Sequence, residues 1–183
     1  MLPFLLTIEA AYGADGPPEC KPPCAQPLFV VQRSLNANEL VYQANLLAEG
    51  FHPRVPLNVY WLMKAKDGAR EELTNMERNR AYGIKFLSIT PREVRFTVKA
   101  LEGVLFRAVL DPAEDGSQVR VIARVSGEEM TVEHVFIATK GVGLMPRVIS
   151  IEFTGMSPSS HARVVHRILP GGAPGEAPLP APR

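Results

Sequence analysis

Arg92-Glu93-Val94-Arg95-Phe96-Thr97-Val98-Lys99-Ala100 alternates without a break. Val94, Phe96, Val98 and Ala100 are apolar, and Glu93, Arg95, Thr97 and Lys99 between them are polar. Successive side chains of a strand point to opposite faces, so this stretch specifies a strand with one dry face and one wet face. The same period runs outward, with interruptions, from Leu28 to Leu169. It predicts strands at 28–33, 40–46 and 55–63 near the start of that span. It predicts 84–89, 92–101, 104–110, 118–125, 129–138, 147–154 and 162–168 in the remainder.

The connections fix how these strands pair. Glu102-Gly103 and Ser126-Gly127 read as two-residue hairpin turns, and 111–117 as a longer one. Short connections make sequential strands antiparallel neighbours, so 92–138 is expected to form a continuous meander. The fold class is therefore all-β, an antiparallel meander of about nine or ten strands. A sheet of that size must curl or fold over to bury its apolar face, as a barrel or a two-sheet sandwich.

One segment breaks the period. In 70–81, Leu73, Met76, Arg80 and Ala81 fit helical spacing, acidic residues open the run and basic ones close it. One short helix is expected there, after the turn Lys66-Asp67-Gly68 that ends the 55–63 strand, with Gly83 as a C′ residue downstream.

Proline sets the domain limits. Of 17 prolines, eleven fall in 1–27 and 170–183 (six and five). Proline removes a backbone donor and fixes φ, so these segments are expected to be extended arms around one β domain at 28–169. That span carries 18 Lys+Arg against 15 Asp+Glu, in a chain of net charge +1. It lacks the dense basic stripe that nucleic-acid binding requires. In the N-terminal arm, Leu2-Pro3-Phe4-Leu5-Leu6-Thr7-Ile8 is apolar and Ala11-Tyr12-Gly13 resembles a cleavage site. A basic n-region is missing and Glu9 interrupts the run. The stretch is too short for a transmembrane segment, but it allows membrane proximity. Export, to a periplasm or cell envelope, is the expected localisation, with the cytoplasm as the alternative. Cys20 and Cys24 are the only cysteines. Their spacing allows a local disulfide in an oxidising compartment, with free thiols or an intermolecular link as alternatives. Two cysteines in this arm do not make a metal site, and no cofactor is expected.

Candidate chemistry is sparse. Neither cysteine lies in the β span, serines such as Ser88 and Ser157 sit in no nucleophile elbow, and Glu71-Glu72 and Glu128-Glu129 are adjacent carboxylates that a strand points apart. Residues 140–146 are glycine-rich without a complete phosphate-loop or dinucleotide fingerprint. His52, His134, His161 and His166 lack metal-ligand spacing. His134 is expected to share a strand face with Met130, Val132 and Phe136, packed in the core or facing a ligand. Glu77-Arg78-Asn79-Arg80-Ala81-Tyr82-Gly83 together with Tyr60-Trp61 is the densest cluster. Arg78 and Arg80 either bind a carboxylate or phosphate at a barrel mouth or pair with Glu71, Glu72 or Glu77. Tyr60, Trp61, Arg78, Arg80, Tyr82 and His134 are the ligand-binding candidates; no catalytic residue is assigned.

Leu28-Phe29-Val30-Val31-Gln32-Arg33-Ser34, Val41-Tyr42, Val59-Tyr60-Trp61 and the 77–83 segment, in this order, resemble an uncharacterised bacterial family, domain of unknown function 4833. The resemblance covers about 28–169 and excludes both arms. It implies small, usually exported β proteins and transfers no catalytic residue. The expected function is a non-catalytic exported β module, an accessory subunit that meets protein partners through its extended arms. The alternatives are a β-barrel binding a small, largely apolar ligand, and an enzyme with an unfamiliar site of Arg78, Arg80, Tyr82 and a histidine.

Overall fold

In the computed structural model, which describes residues 24–101, 103–111, 118–141 and 147–169, the decisive alternation becomes a strand at Glu93–Val98. Val94, Phe96 and Val98 are buried and Arg95 is exposed, as the period demands. Twelve strands occur among the described residues. The first five are β1 (Cys24–Arg33), β2 (Glu39–Leu47), β3 (Gly50–Phe51), β4 (Leu57–Met63) and β5 (Ala69–Glu72). Next come β6 (Ile84–Ile89), β7 (Glu93–Val98), β8 (Phe106–Leu110) and β9 (Val119–Val125). The last three are β10 (Glu128–Lys140), β11 (Arg147–Met156) and β12 (Arg163–Ile168). All belong to one strongly curled, half-barrel sheet of mixed direction.

Strands β7 to β10 form the expected antiparallel meander. Its last hairpin turns on Ser126 and Gly127, at φ 53° and 88°, the positive values a two-residue hairpin needs. The sheet then forks at β10. Thr131 pairs with Ile122 of β9 on one edge and Met156 of β11 on the other. Further along, His134–Ile137 still pair with β11 but take Val30–Arg33 of β1 on the edge β9 has left. The β1 pairing is parallel, which makes the sheet mixed. One branch from the fork is β9-β8-β7-β6 and the other is β1-β2-β4-β5. Their inner faces close on a common core.

The middle of that core is a column of rings. Tyr42 of β2 stacks on Phe29 of β1 at 4.5 Å between centroids, Phe29 on Phe106 of β8 at 5.5 Å, and Phe106 on Phe96 of β7 at 5.3 Å. All four rings are buried. Gln26 joins the branches by a second route: its Oε1 accepts from Val119 N–H at 3.0 Å and its Nε2 donates to Val119 C=O at 3.1 Å. Its amide thus acts as one more peptide group between two strands. A third link runs from Phe51 N–H to the Pro91 carbonyl in the β6–β7 turn, at 2.9 Å. Gly50 makes this possible, since a Cβ there would lie 1.9 Å from the Pro91 oxygen and its φ is +125°.

Three expectations change. Residues 69–72 pair with β4 as an edge strand rather than opening a helix, because Asp67 and Gly68, both at positive φ, reverse the chain first. Their charges suit an edge. Only Asn75–Glu77 is α-helical (α1), followed by a single π turn at 78–82. Strand β1 starts at Cys24, four residues before the expected boundary, with Pro27 inside it at a register shift. His134 does not share a face with Met130 and Val132. A bulge between Val132 and His134 turns the strand by one residue, so Met130, Val132, Val135 and Ile137 face the core. His134 and Phe136 face outward, half-buried.

Candidate functional site

The 74–83 connection crosses from β5 to β6 and brings two of the candidate side chains, Trp61 and Tyr82, together at one end of the curled sheet. Thr74 opens it with a capping box: its hydroxyl accepts from Glu77 N–H at 3.3 Å, while Thr74 N–H donates to Glu77 Oε2 at 2.8 Å. The box fixes the Glu77 carboxylate where Trp61 of β4 can reach it, with indole Nε1 donating to Oε1 at 3.1 Å. The π turn then swings Tyr82 inward. Its ring meets Trp61 edge-on at 5.5 Å, its hydroxyl accepts from Arg33 Nη1 at 2.7 Å, and its carbonyl accepts from the Tyr42 hydroxyl at 2.9 Å. Gly83 closes the segment in extended backbone, so it is not the left-handed C′ residue expected. It is glycine for another reason: a Cβ would lie 1.9 Å from the Arg78 carbonyl oxygen.

The electrostatics bind this cluster to itself. Burial by itself would raise the Glu77 carboxyl. The Thr74 backbone and hydroxyl, the Trp61 indole and the charge of Arg33 together hold it below its ordinary value of 4.5. Burial, and then Tyr82, push the Tyr42 phenol far above its usual value, which suits a permanent donor. Arg33 has one defect: its Nε is buried with no hydrogen-bond partner. This end of the sheet is therefore a plug of mutually bonded groups.

The other candidates lie apart. Arg78 pairs with Glu72 across the turn, tying it to β5. Arg80 lies on the far side of the turn, on the wall of an open groove against β6 and β7. Tyr60 is buried on the outer face of β4, where Arg70 Nη2 donates to its hydroxyl at 2.6 Å and to Gln43 Oε1 at 3.0 Å. Half-burial lowers the His134 imidazole, opposed by Glu39 and Glu152. Of the other histidines, His52 Nδ1 accepts from Arg54 and Val55 N–H, and buried His166 lies 3.5 Å from Glu128. Neither adjoins Arg78, Arg80 or Tyr82 in any contact described. Cys24 is half of a disulfide; Cys20, the chain's other cysteine, lies outside the described residues. Residues 1–23 and 170–183 of the arms, residue 102, residues 112–117 and the glycine-rich 142–146 also lie outside them. Among the described residues no three His, Cys, Asp or Glu side chains gather as a metal would need, and no helix is long and apolar enough to cross a membrane.

Reading the sequence missed Arg33 and Arg70 as members of these clusters, and it offered Glu77 as a partner for Arg78 or Arg80 rather than for Thr74 and Trp61. For Glu77 a signal existed, since Thr74-Asn75-Met76-Glu77 has the capping-box spacing. For Arg33 and Arg70 none did, because their partners lie on other elements of the fold, 49 residues away for Arg33 and 10 and 27 for Arg70.

The model of the family described as Domain of unknown function (DUF4833) matches residues 29–167, and the chain belongs to that family. No curated protein and no solved structure matches it.

Proposed function

With membership of a family that carries no assigned activity as the premise, we propose that this chain is a non-catalytic, exported β module. It serves as an interaction or accessory subunit of a larger assembly, meeting protein partners through its proline-rich segments 1–23 and 170–183, since residues 24–27 are taken up by β1. The observation that carries the reading is the use made of the interior. The stacked column Tyr42–Phe29–Phe106–Phe96 fills the space between the branches, and Arg33, Trp61, Glu77 and Tyr82 are engaged with one another. A chamber for an apolar ligand gains no support from such a core, and neither does an acid, base or nucleophile awaiting substrate. Proline-rich chain binds in extended form at low ordering cost. The disulfide at Cys24 supports an oxidising compartment.

The test compares the full chain with one lacking residues 1–19 and 170–183, which keeps both cysteines. Both are purified from the native host after cross-linking, alongside thermal unfolding of each. A stoichiometric protein partner lost with the segments, at unchanged midpoint, is the expected result. Equal recovery of that partner by both forms overturns the role given to the arms.

A further inference from the structure

We propose that the groove beside the 78–82 turn binds the phosphate group of a phosphorylated small molecule. This site is independent of the arms and stands or falls without them. The groove has a volume of about 460 Å³, the scale of small-molecule sites, and is walled by the π turn, by β6 and β7, and by the 3-10 turn Lys99–Leu101. Three cations line it: Arg80, Lys85 and Lys99. Lys99 is held in place, its ammonium donating to the Asn79 carbonyl, which leaves it further N–H donors. The side chains of Arg80 and Lys85 make no hydrogen bond or ion pair among the described residues. Thr97, the cross-strand partner of Lys85, adds a hydroxyl to the same wall.

The charge pattern around the groove makes it stand out. On the neighbouring sheet surface Glu93 takes both Arg95 and Arg107, and Asp111 takes Arg120. On the turn itself Arg78 is matched by Glu72. No described carboxylate lines the groove. Like charges gathered in a concavity repel one another and raise the local concentration of anions. A phosphomonoester carries roughly −1.5 to −2 at neutral pH and three strong acceptor oxygens. It therefore matches a guanidinium fork with two ammonium groups, where a single carboxylate would leave charge over.

The site is tested on the full chain by NMR titration with glycerol 3-phosphate at constant ionic strength. Saturable shifts confined to amides near 79–85 and 97–103 are expected. The double variant Arg80→Gln/Lys85→Gln removes two exposed side chains and should weaken binding about tenfold or more. Arg95→Gln/Arg120→Gln removes the same charge from the adjoining surface and should weaken it less than about twofold. Equal losses in the two double variants would reduce the effect to the general field and overturn the site. So would the absence of saturation at millimolar ligand, or equal affinity for acetate. Vesicles containing phosphatidic acid form the remaining arm. Recruitment that soluble glycerol 3-phosphate displaces supports the shared phosphate chemistry, and recruitment without any soluble binding overturns the small-molecule assignment in favour of a membrane.

Discussion

The two branches of the sheet are built from similar strands yet bury them differently. In the β6–β9 branch, β7 and β9 are dry on one face and wet on the other: Val119, Val121, Ala123 and Val125 are buried, while Arg120 and Arg124 are exposed. In the β1–β5 branch, β2 is buried on both. Leu40, Tyr42 and Ala44 face the core, and Val41 and Gln43 on the opposite face are 5 % and 6 % exposed. Tyr60 beside them is 5 % exposed, with the Arg70 guanidinium 4.1 Å above its ring. The difference shows that one face of each strand defines the fold, while the second face is free either to meet water or to be covered.

The union of the branches is where the largest effects are expected. Phe106 is the ring through which β8 touches both Phe29 and Phe96, so Phe106→Ala opens a cavity at the one place where both branches stack. A loss of about 4 kcal/mol in unfolding free energy is expected by denaturant titration. A loss below about 1 kcal/mol would mean that the branches do not depend on the column. Gln26→Ala comes next. It strands the buried N–H and C=O of Val119 and should cost about 2 kcal/mol. Gln26→Glu is the sharper variant, since a carboxylate keeps the acceptor and loses the donor; it should be no more stable than the alanine.

How far the sequence could be read follows the same division. Strands with a wet face show period 2 plainly, so the faces of β7 and β9 were legible, although the strand expected at 92–101 ends at Val98 and Lys99–Leu101 forms a 3-10 turn. β2 alternates weakly because its second face is dry, and only its existence could be read. The end of the 70–81 segment was legible as an arginine-rich helix end, which the structure gives as a π turn, and the Arg78–Glu72 pair follows one of its two readings. Its start was not, because edge pairing with β4 is a tertiary effect that outweighs local spacing. The fork at β10 and the parallel β1 pairing depend on residues about a hundred positions apart, such as Val30 and His134. The bulge at 133 leaves no mark in composition, which is why His134 was placed on the wrong face.

The contrast between covered and wet outer faces can itself be sharpened. Tyr60→Phe removes an acceptor from the part-buried contact with the Arg70 guanidinium and should cost about 1 kcal/mol. Arg120→Gln removes an exposed ion pair with Asp111 and should stay within about 0.5 kcal/mol. Equal costs would erase the distinction between the branches.

The smallest effect is a pH dependence, and it separates the faces by window. The His134 imidazole is lowered from its usual 6.5 by burial, with Glu39 and Glu152 opposing and Arg163 adding to the shift. Below about pH 6.5 the unfolded chain therefore takes up this proton more readily than the folded one, and stability falls as the pH drops. Glu93 on the wet branch is lowered from 4.5 by Arg107 and Arg95, and Glu77 by the hydrogen bonds and charge already described. Their contribution is present above about pH 4.5 and is lost only below it, as the pH falls through their folded values. Comparing wild type with His134→Asn isolates the first window, since the difference between them should open as the pH falls below about 6.5. Glu77→Gln should change no slope above about pH 4.5 and should flatten only the steeper fall beneath it. If the His134→Asn difference had the opposite sign, with wild type gaining stability relative to the variant on acidification, Glu39 and Glu152 would outweigh burial. The outer face of β10 would then be open to water like that of β9.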